Sequence, residues 1–248
     1  MSGIDTAISV RNLTKRFGDF TAVDGITFDV GRGEIFGFLG ANGAGKTTAM
    51  RMLCGLSRPT SGEGSVVGFD IATQAEEIKR HIGYMSQKFS LYEALTVEEN
   101  MQLFGSIYGL TRAERKERAD RMFRELDMDA IRKSAVGDIP VGWRQKLAFA
   151  ASTIHRPDVL FLDEPTGGVD PVTRRRFWEL IYKASSEGMT VFVTTHYLDE
   201  AEYCNRVSIM VDGRIAALDT PEALKGTYGA ETMDEVFRIV AKTATRTD

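Results

Sequence analysis

Cysteine is nearly absent: Cys54 and Cys204 are the only two in 248 residues, and they lie far apart in the chain. Neither has a second ligand at metal-binding spacing, which excludes a disulfide framework and a structural zinc site and suits a reducing compartment. Long apolar runs are missing as well. No stretch approaches the roughly 20 residues that a membrane-spanning helix requires, and the opening Met1-Ser2-Gly3-Ile4-Asp5 has neither the basic nor the apolar region of a secretion signal. Work at a membrane is therefore expected to need a separate anchor. Positive charge is not in excess: 31 Lys and Arg against 35 Asp and Glu leave a net charge of −4, without the basic field on which nucleic-acid binding depends. The one basic run, Arg174-Arg175-Arg176, reads as a solvated helix face. His81 and His155 fall outside any motif and read as structural. There is no internal repeat and no low-complexity segment.

What the sequence does contain is a 43% hydrophobic content, enough for a sizeable core, and one glycine-rich segment of defined spacing. Gly40-Ala41-Asn42-Gly43-Ala44-Gly45-Lys46-Thr47 fits GxxxxGK[ST] at every fixed position. Glycines without a Cβ let the backbone curl into a nest of N–H groups aimed at one anion. Lys46 adds a point charge for β and γ phosphates, Thr47 offers a hydroxyl to Mg²⁺, and Thr48 can add another donor. A helix starting here directs its positive dipole end at the same ligand. The context is the required one, since Glu34 to Leu39 reads as a buried strand and Lys46 to Leu56 as a helix. A nucleoside triphosphate is the expected ligand.

Around this loop the organisation is legible. Ile8 to Leu39 alternates short β-rich runs with Gly and Asp, predicting a small antiparallel layer that leads into the core. Val97 to Tyr108, Arg112 to Leu126 and Trp143 to Ile154 carry helical spacing. They predict a helical subdomain at about 93–155, inserted in a core made of 8–92 and 156–224. Strands return at Val159–Leu162, Thr190–Thr194 and Val207–Val211, with a helix from Arg174 to Glu187 between the first two, and this alternation predicts a mostly parallel central sheet. The fold class is thus α/β, with an antiparallel β layer and an inserted helical subdomain. Residues 225–248 form a tail; Pro221 to about Lys242 reads as helix, and the closing Thr-Ala-Thr-Arg-Thr-Asp as a frayed end.

Val159-Leu160-Phe161-Leu162 runs into Asp163-Glu164, the form of a buried strand that delivers carboxylates to the sheet's carboxyl edge. Asp163 would bind the Mg²⁺ held by Thr47, and Glu164 would orient and polarise an attacking water. Taken with the phosphate loop, Gln87 in Tyr84-Met85-Ser86-Gln87, the block Phe161 to Pro171, and His196 in Thr194-Thr195-His196, the chain resembles the ATP-binding cassette (ABC) ATPases from Ile8 to about Leu224. The resemblance implies a P-loop NTPase core with ATP and Mg²⁺. It also implies that Phe17 stacks on adenine and Val23 packs near the sugar. Gln87 would sense Mg²⁺ and the attacking water, His196 would contact the γ-phosphate, and Asp170 would face the partner subunit.

One motif departs from the family. Its signature, Leu-Ser-Gly-Gly before a helix, aligns with Ile139-Pro140-Val141-Gly142. In the family the Ser hydroxyl and nearby N–H groups reach across a dimer to the other subunit's γ-phosphate. Pro140 has neither hydroxyl nor N–H, although the N–H groups of Val141 and Gly142 remain. A working ATPase with altered grip is the expectation. This variant, with Gly167-Gly168-Val169-Asp170 and Met233 to Phe237, is similar to cassettes of drug-export bacterial transporters, some of which carry two cassettes in one polypeptide.

The resemblance implies integral membrane permease subunits and a second cassette, identical or not, as partners. It also implies a location peripheral to the cytoplasmic face of the cell membrane. Coupling to the membrane subunits is expected near Gln87 to Leu95, with Leu91 and Tyr92 as contacts. Two alternatives remain: an importer ATPase, many of which append a regulatory domain that this length cannot hold, and a non-transport cassette acting on DNA or the ribosome, which generally carries long insertions not found here.

Overall fold

The computed structural model describes residues 6–88 and 90–243; the opening Met1 to Asp5 and the closing 244–248, all of the expected frayed end but Thr243, lie outside them. Two sheets organise the molecule. The first takes β1 (Thr6–Phe17), β2 (Phe20–Gly31), β4 (Ser61–Val66) and β5 (Phe69–Asp70) in the order β2-β1-β4-β5, all antiparallel. The second takes β3 (Ile35–Gly40), β6 (Ile82–Met85), β7 (Val159–Asp163), β8 (Thr190–Thr195), β9 (Arg206–Val211) and β10 (Arg214–Asp219) in the order β10-β9-β3-β8-β7-β6. Only β10 runs antiparallel there.

β3, β7 and β8 are buried at every residue, as continuous apolar runs flanked on both faces require. One face meets the antiparallel sheet through Phe28, Phe36, Phe38, Phe161 and Phe192, whose ring centroids lie 5.2–6.1 Å apart. The other packs on α6 (Pro171–Ser186) and α8 (Met233–Thr243) through Trp178, Ile181, Val236 and Val240. Three helices, α3 (Val97–Ile107), α4 (Arg112–Glu125) and α5 (Val141–Thr153), surround a cluster of their own built on Val97, Met101, Phe123, Leu147 and Ile154.

Several boundaries move for identifiable reasons. α1 (Lys46–Leu53) stops three residues before Leu56, because Gly55 takes a left-handed φ of 67° and closes the helix. α5 begins at Val141 rather than Trp143, directly after the β-region Pro140. The single tail helix is two: α7 (Pro221–Tyr228) ends on Gly229 at φ 60°, and α8 follows. The short α2 (Ala75–His81), β4 to β6 and β10 carry too little periodicity to be read from sequence. The basic run is only partly solvated: Arg175 and Arg176 are exposed, but Arg174 turns inward and its guanidinium lies 3.8 Å from the Tyr197 ring centroid.

Candidate nucleotide site

The glycine-rich segment links the end of β3 to the start of α1. Gly45 holds φ 102°, and a Cβ there would collide with the carbonyl oxygen of Ala22, so no other residue fits. A turn at Gly213 supports the loop from behind, its N–H donating to Ala44 O at 3.1 Å. The first helical bond runs from Ala49 N to Gly45 O at 2.9 Å, so the N–H groups ahead of it belong to the unpaired first turn. α1 has no capping side chain and no acid in that turn, and among the described helices of eight or more residues only α5 shares both features. α3, α4, α6 and α7 are capped by Thr96, Thr111, Asp170 and Thr220. Two positive helix ends are thus left open for anions, at the phosphate loop and at the altered signature.

Lys46 is 5% exposed, and its Nζ donates to Gly40 O at 2.8 Å and Ala41 O at 3.1 Å. Burial pulls its pKa below the ordinary lysine value, opposed by the nearby carboxylates of Glu164 and Asp163. A cation so placed gains from an anionic ligand. Asp163, at the end of β7, accepts from Thr47 Oγ1 at 3.3 Å and from Thr194 Oγ1 at 2.7 Å. Beside it the Tyr84 phenol is pushed far up, first by burial and then by the Asp163 charge. Hydroxyl and carboxylate oxygens side by side are a hard-donor set that suits Mg²⁺.

Glu164 is the point of convergence. Gln87 Nε2 donates to its Oε2 at 2.9 Å, His196 Nδ1 lies 3.1 Å from the same oxygen, and Lys46 Nζ is 3.7 Å from Oε1. Its backbone sits at φ 48°, a left-handed conformation that costs a non-glycine residue about 1–3 kcal/mol. The turn is held from several sides: Glu164 N donates to Thr194 O and Oγ1, both at 3.1 Å, Gly167 N donates to Glu164 O at 3.1 Å, and the buried Gln145 on α5 donates to Pro165 O.

The remaining expected residues divide. Phe17 and its hairpin neighbour Phe20 are both more than half exposed at the tip of β1 and β2, with Lys15 Nζ 5.0 Å from the Phe17 ring centroid. Ala41, Asn42, Gly43 and Thr47 line the loop's open side, whereas Thr48 is half-buried. Val141 and Gly142 occupy the first turn of α5, and Asp170 caps α6, accepting from Val172 N at 2.9 Å and Thr173 N at 3.0 Å. Val23 is a correction. It is fully buried in the core beside the also buried Ala22, and it is the backbone carbonyl of Ala22 that borders the phosphate loop. Thr194, Tyr84 and Gln145 reach the same groups; Thr194 and Tyr84 open the segments that end in His196 and Gln87, yet no motif assigned them a role, and Gln145 carries no signal at all.

A parallel sheet whose carboxyl edge carries a glycine-rich loop, an Asp-Glu pair and a converging Gln and His is the site of a P-loop nucleotide-binding domain. The family model described as "ABC transporter" matches residues 23–167, and the chain belongs to that family. It is 47% identical over 94% of its length to "Probable multidrug ABC transporter ATP-binding protein YbhF" of Escherichia coli (strain K12), of which it spans 41%. It is 40% identical over 94% of its length to the "Daunorubicin resistance ATP-binding protein DrrA3" of Streptomyces coeruleorubidus, covering 74% of that protein. Among solved structures, one titled "Structure of ATP binding subunit of ABC transporter" superposes with a TM-score of 0.85 at 29% identity, covering 95% of this chain and 99% of the other.

Proposed function

We propose that this cassette binds and hydrolyses ATP to power export of a drug-like or lipid-like substrate through separate membrane permease subunits. The observation that carries the reading is the meeting of Lys46, Gln87 and His196 on the Glu164 carboxylate. In this reading the N–H groups of Gly40 to Thr48 and Lys46 hold the β and γ phosphates, and Phe17 stacks on the adenine. Thr47 and Asp163, with Gln87 beside them, hold Mg²⁺. When bound, the metal screens charge on the phosphates. Glu164, fixed in its strained turn, accepts a hydrogen bond from the water that attacks the γ-phosphate and polarises it, while His196 steadies the γ-phosphate oxygens.

Residues 93–155 are read as the helical subdomain and 225–248 as an appended tail. A second cassette closes over the nucleotide, presenting Val141, Gly142 and Asp170. The names of the relatives, which speak of multidrug transport and daunorubicin resistance, support an export role. No described helix is long and apolar enough to cross a membrane, and attachment to permeases on the cytoplasmic face is the proposed location. An importer or a DNA- or ribosome-directed cassette are the other readings; co-purification with membrane subunits rather than co-sedimentation with nucleic acid or ribosomes separates the transport readings from the second.

The test is phosphate release by the purified chain against Glu164→Gln. Gln keeps the shape but cannot polarise water as a carboxylate does, so the variant is expected to retain ATP binding and lose at least about a hundredfold in turnover. Equal phosphate release from both proteins would sink the proposal.

A further inference from the structure

The turn that follows Glu164, the strand end that carries His196 and the first part of α6 all meet at one side chain that no motif singles out. Glu200, in the 3-10 turn Leu198–Tyr203, is fully buried. Its Oε2 accepts from Thr195 Oγ1 and its Oε1 from Thr166 Oγ1, each at 2.6 Å. Arg174 supplies the countercharge: its Nε is 3.8 Å from Glu200 Oε1, and its Nη1 is 3.2 Å from Asp199 Oδ2. A buried carboxylate is tolerated only when paired and hydrogen-bonded, so the position of this one fixes the three segments that supply its partners.

Each partner adjoins a working group. Thr195 precedes His196, Thr166 lies two residues beyond Glu164, and Arg174 stands one helical turn after Asp170, the cap of α6. The joints are unequal. Both hydroxyl bonds are short, whereas Arg174 Nε is buried without a hydrogen-bond partner and stands from Glu200 at ion-pair distance only. The link to α6 is therefore the loose one, and a small shift of that helix tightens or opens it.

We propose that Glu200 is a positioning residue that sets Glu164 and His196 in register through Thr166 and Thr195, and makes their alignment depend on where Arg174 and α6 stand. A second subunit that engages Asp170 at the head of α6 would thereby act on the water-activating group. The inference rests on the hydrolytic reading above.

The experiment compares wild type with Glu200→Gln, Arg174→Gln and the double variant, measuring kcat and KM for ATP together with thermal melting. Gln preserves the volume and removes the charge that faces Arg174. The expected result is a fall in kcat of about tenfold, KM within about twofold of wild type, and a double variant no slower than either single one. Melting that falls while kcat per folded molecule is unchanged would reduce Glu200 to packing and overturn the proposal, as would a rise in KM alone. Thr166→Val removes one donor and no charge; it is expected to show the same kcat loss, and it serves as the test if Glu200→Gln does not fold. Wild type no faster than Glu164→Gln would overturn the hydrolytic reading and this inference together, whereas an active wild type with an equally active Glu200→Gln overturns this inference alone.

Discussion

Pro140→Ser separates what the altered signature does to stability from what it does to turnover. Pro140 occupies the N-cap of α5 at φ −57° and ψ 154°. The capping residues Thr96, Thr111, Asp170 and Thr220 hold φ between −63° and −67° and ψ between 151° and 163°. Serine therefore fits without backbone movement and gains a hydroxyl able to accept from the first turn. A new cap contributes about 1 kcal/mol. Loss of the proline ring frees the unfolded chain by about 0.4–1 kcal/mol in the opposite direction. The two offset, leaving a net change within about 1 kcal/mol and a melting shift below about 4 °C for a chain of this size.

Turnover is not offset in this way. If the hydroxyl reaches the γ-phosphate held by a second subunit, it adds one charge-assisted hydrogen bond of about 1.5–3 kcal/mol. Realised mainly in the transition state, that is about ten- to a hundredfold in kcat at about 1.4 kcal/mol per decade. The assay is steady-state phosphate release over a range of protein concentrations, with melting recorded in parallel. A variant that melts within the stated window and hydrolyses no faster would refute the reasoning, because the missing hydroxyl would then not limit the rate.

Other perturbations read separate parts of the structure. Phe17→Ala removes an exposed ring, so melting should stay within about 1 °C while ATP affinity falls about five- to 150-fold, the cost of one base-aromatic stack of about 1–3 kcal/mol; equilibrium binding of a fluorescent ATP analogue measures it, and unchanged affinity counts against the stack. His155 stacks on Tyr108 with ring centroids 3.5 Å apart and interacts through Nε2 with Ile82 O, and burial lowers its pKa to about 4. Its folded pKa lies below the ordinary value near 6.5, so the unfolded chain binds the extra proton first, and stability is lost as pH falls from about 6.5 to about 4. Urea midpoints across that range should decline more steeply for wild type than for His155→Phe, whose own offset in stability does not vary with pH; parallel curves would show that His155 does not titrate on unfolding.

The spacing of glycines, Lys46 and Thr47 and the apolar run into Asp163-Glu164 were readable because each rests on local chain geometry, whereas Gln87 and His196 were legible only through the family resemblance. A nest needs glycines at fixed intervals, and a buried parallel strand needs four or five apolar residues in a row. The same logic placed α3, α4 and α6 to within a few residues. Val23 was assigned to the sugar from the resemblance alone, and only the packing of β2 on the parallel sheet encloses it fully in the core.

Sequence alone thus determined that this chain carries a phosphate loop, a pair of acids and a family pattern, since those features follow from residue type and spacing. Tertiary structure alone decided which groups meet. Thr194 holds Asp163 from a neighbouring strand, Gln145 reaches from α5 to Pro165, and Glu200 draws together Thr166, Thr195 and Arg174. Apart from Thr195–Glu200, five residues apart, these contacts span 20 to 34 positions in sequence. Long-range pairing of this kind depends on strand order and helix placement, which no local pattern encodes.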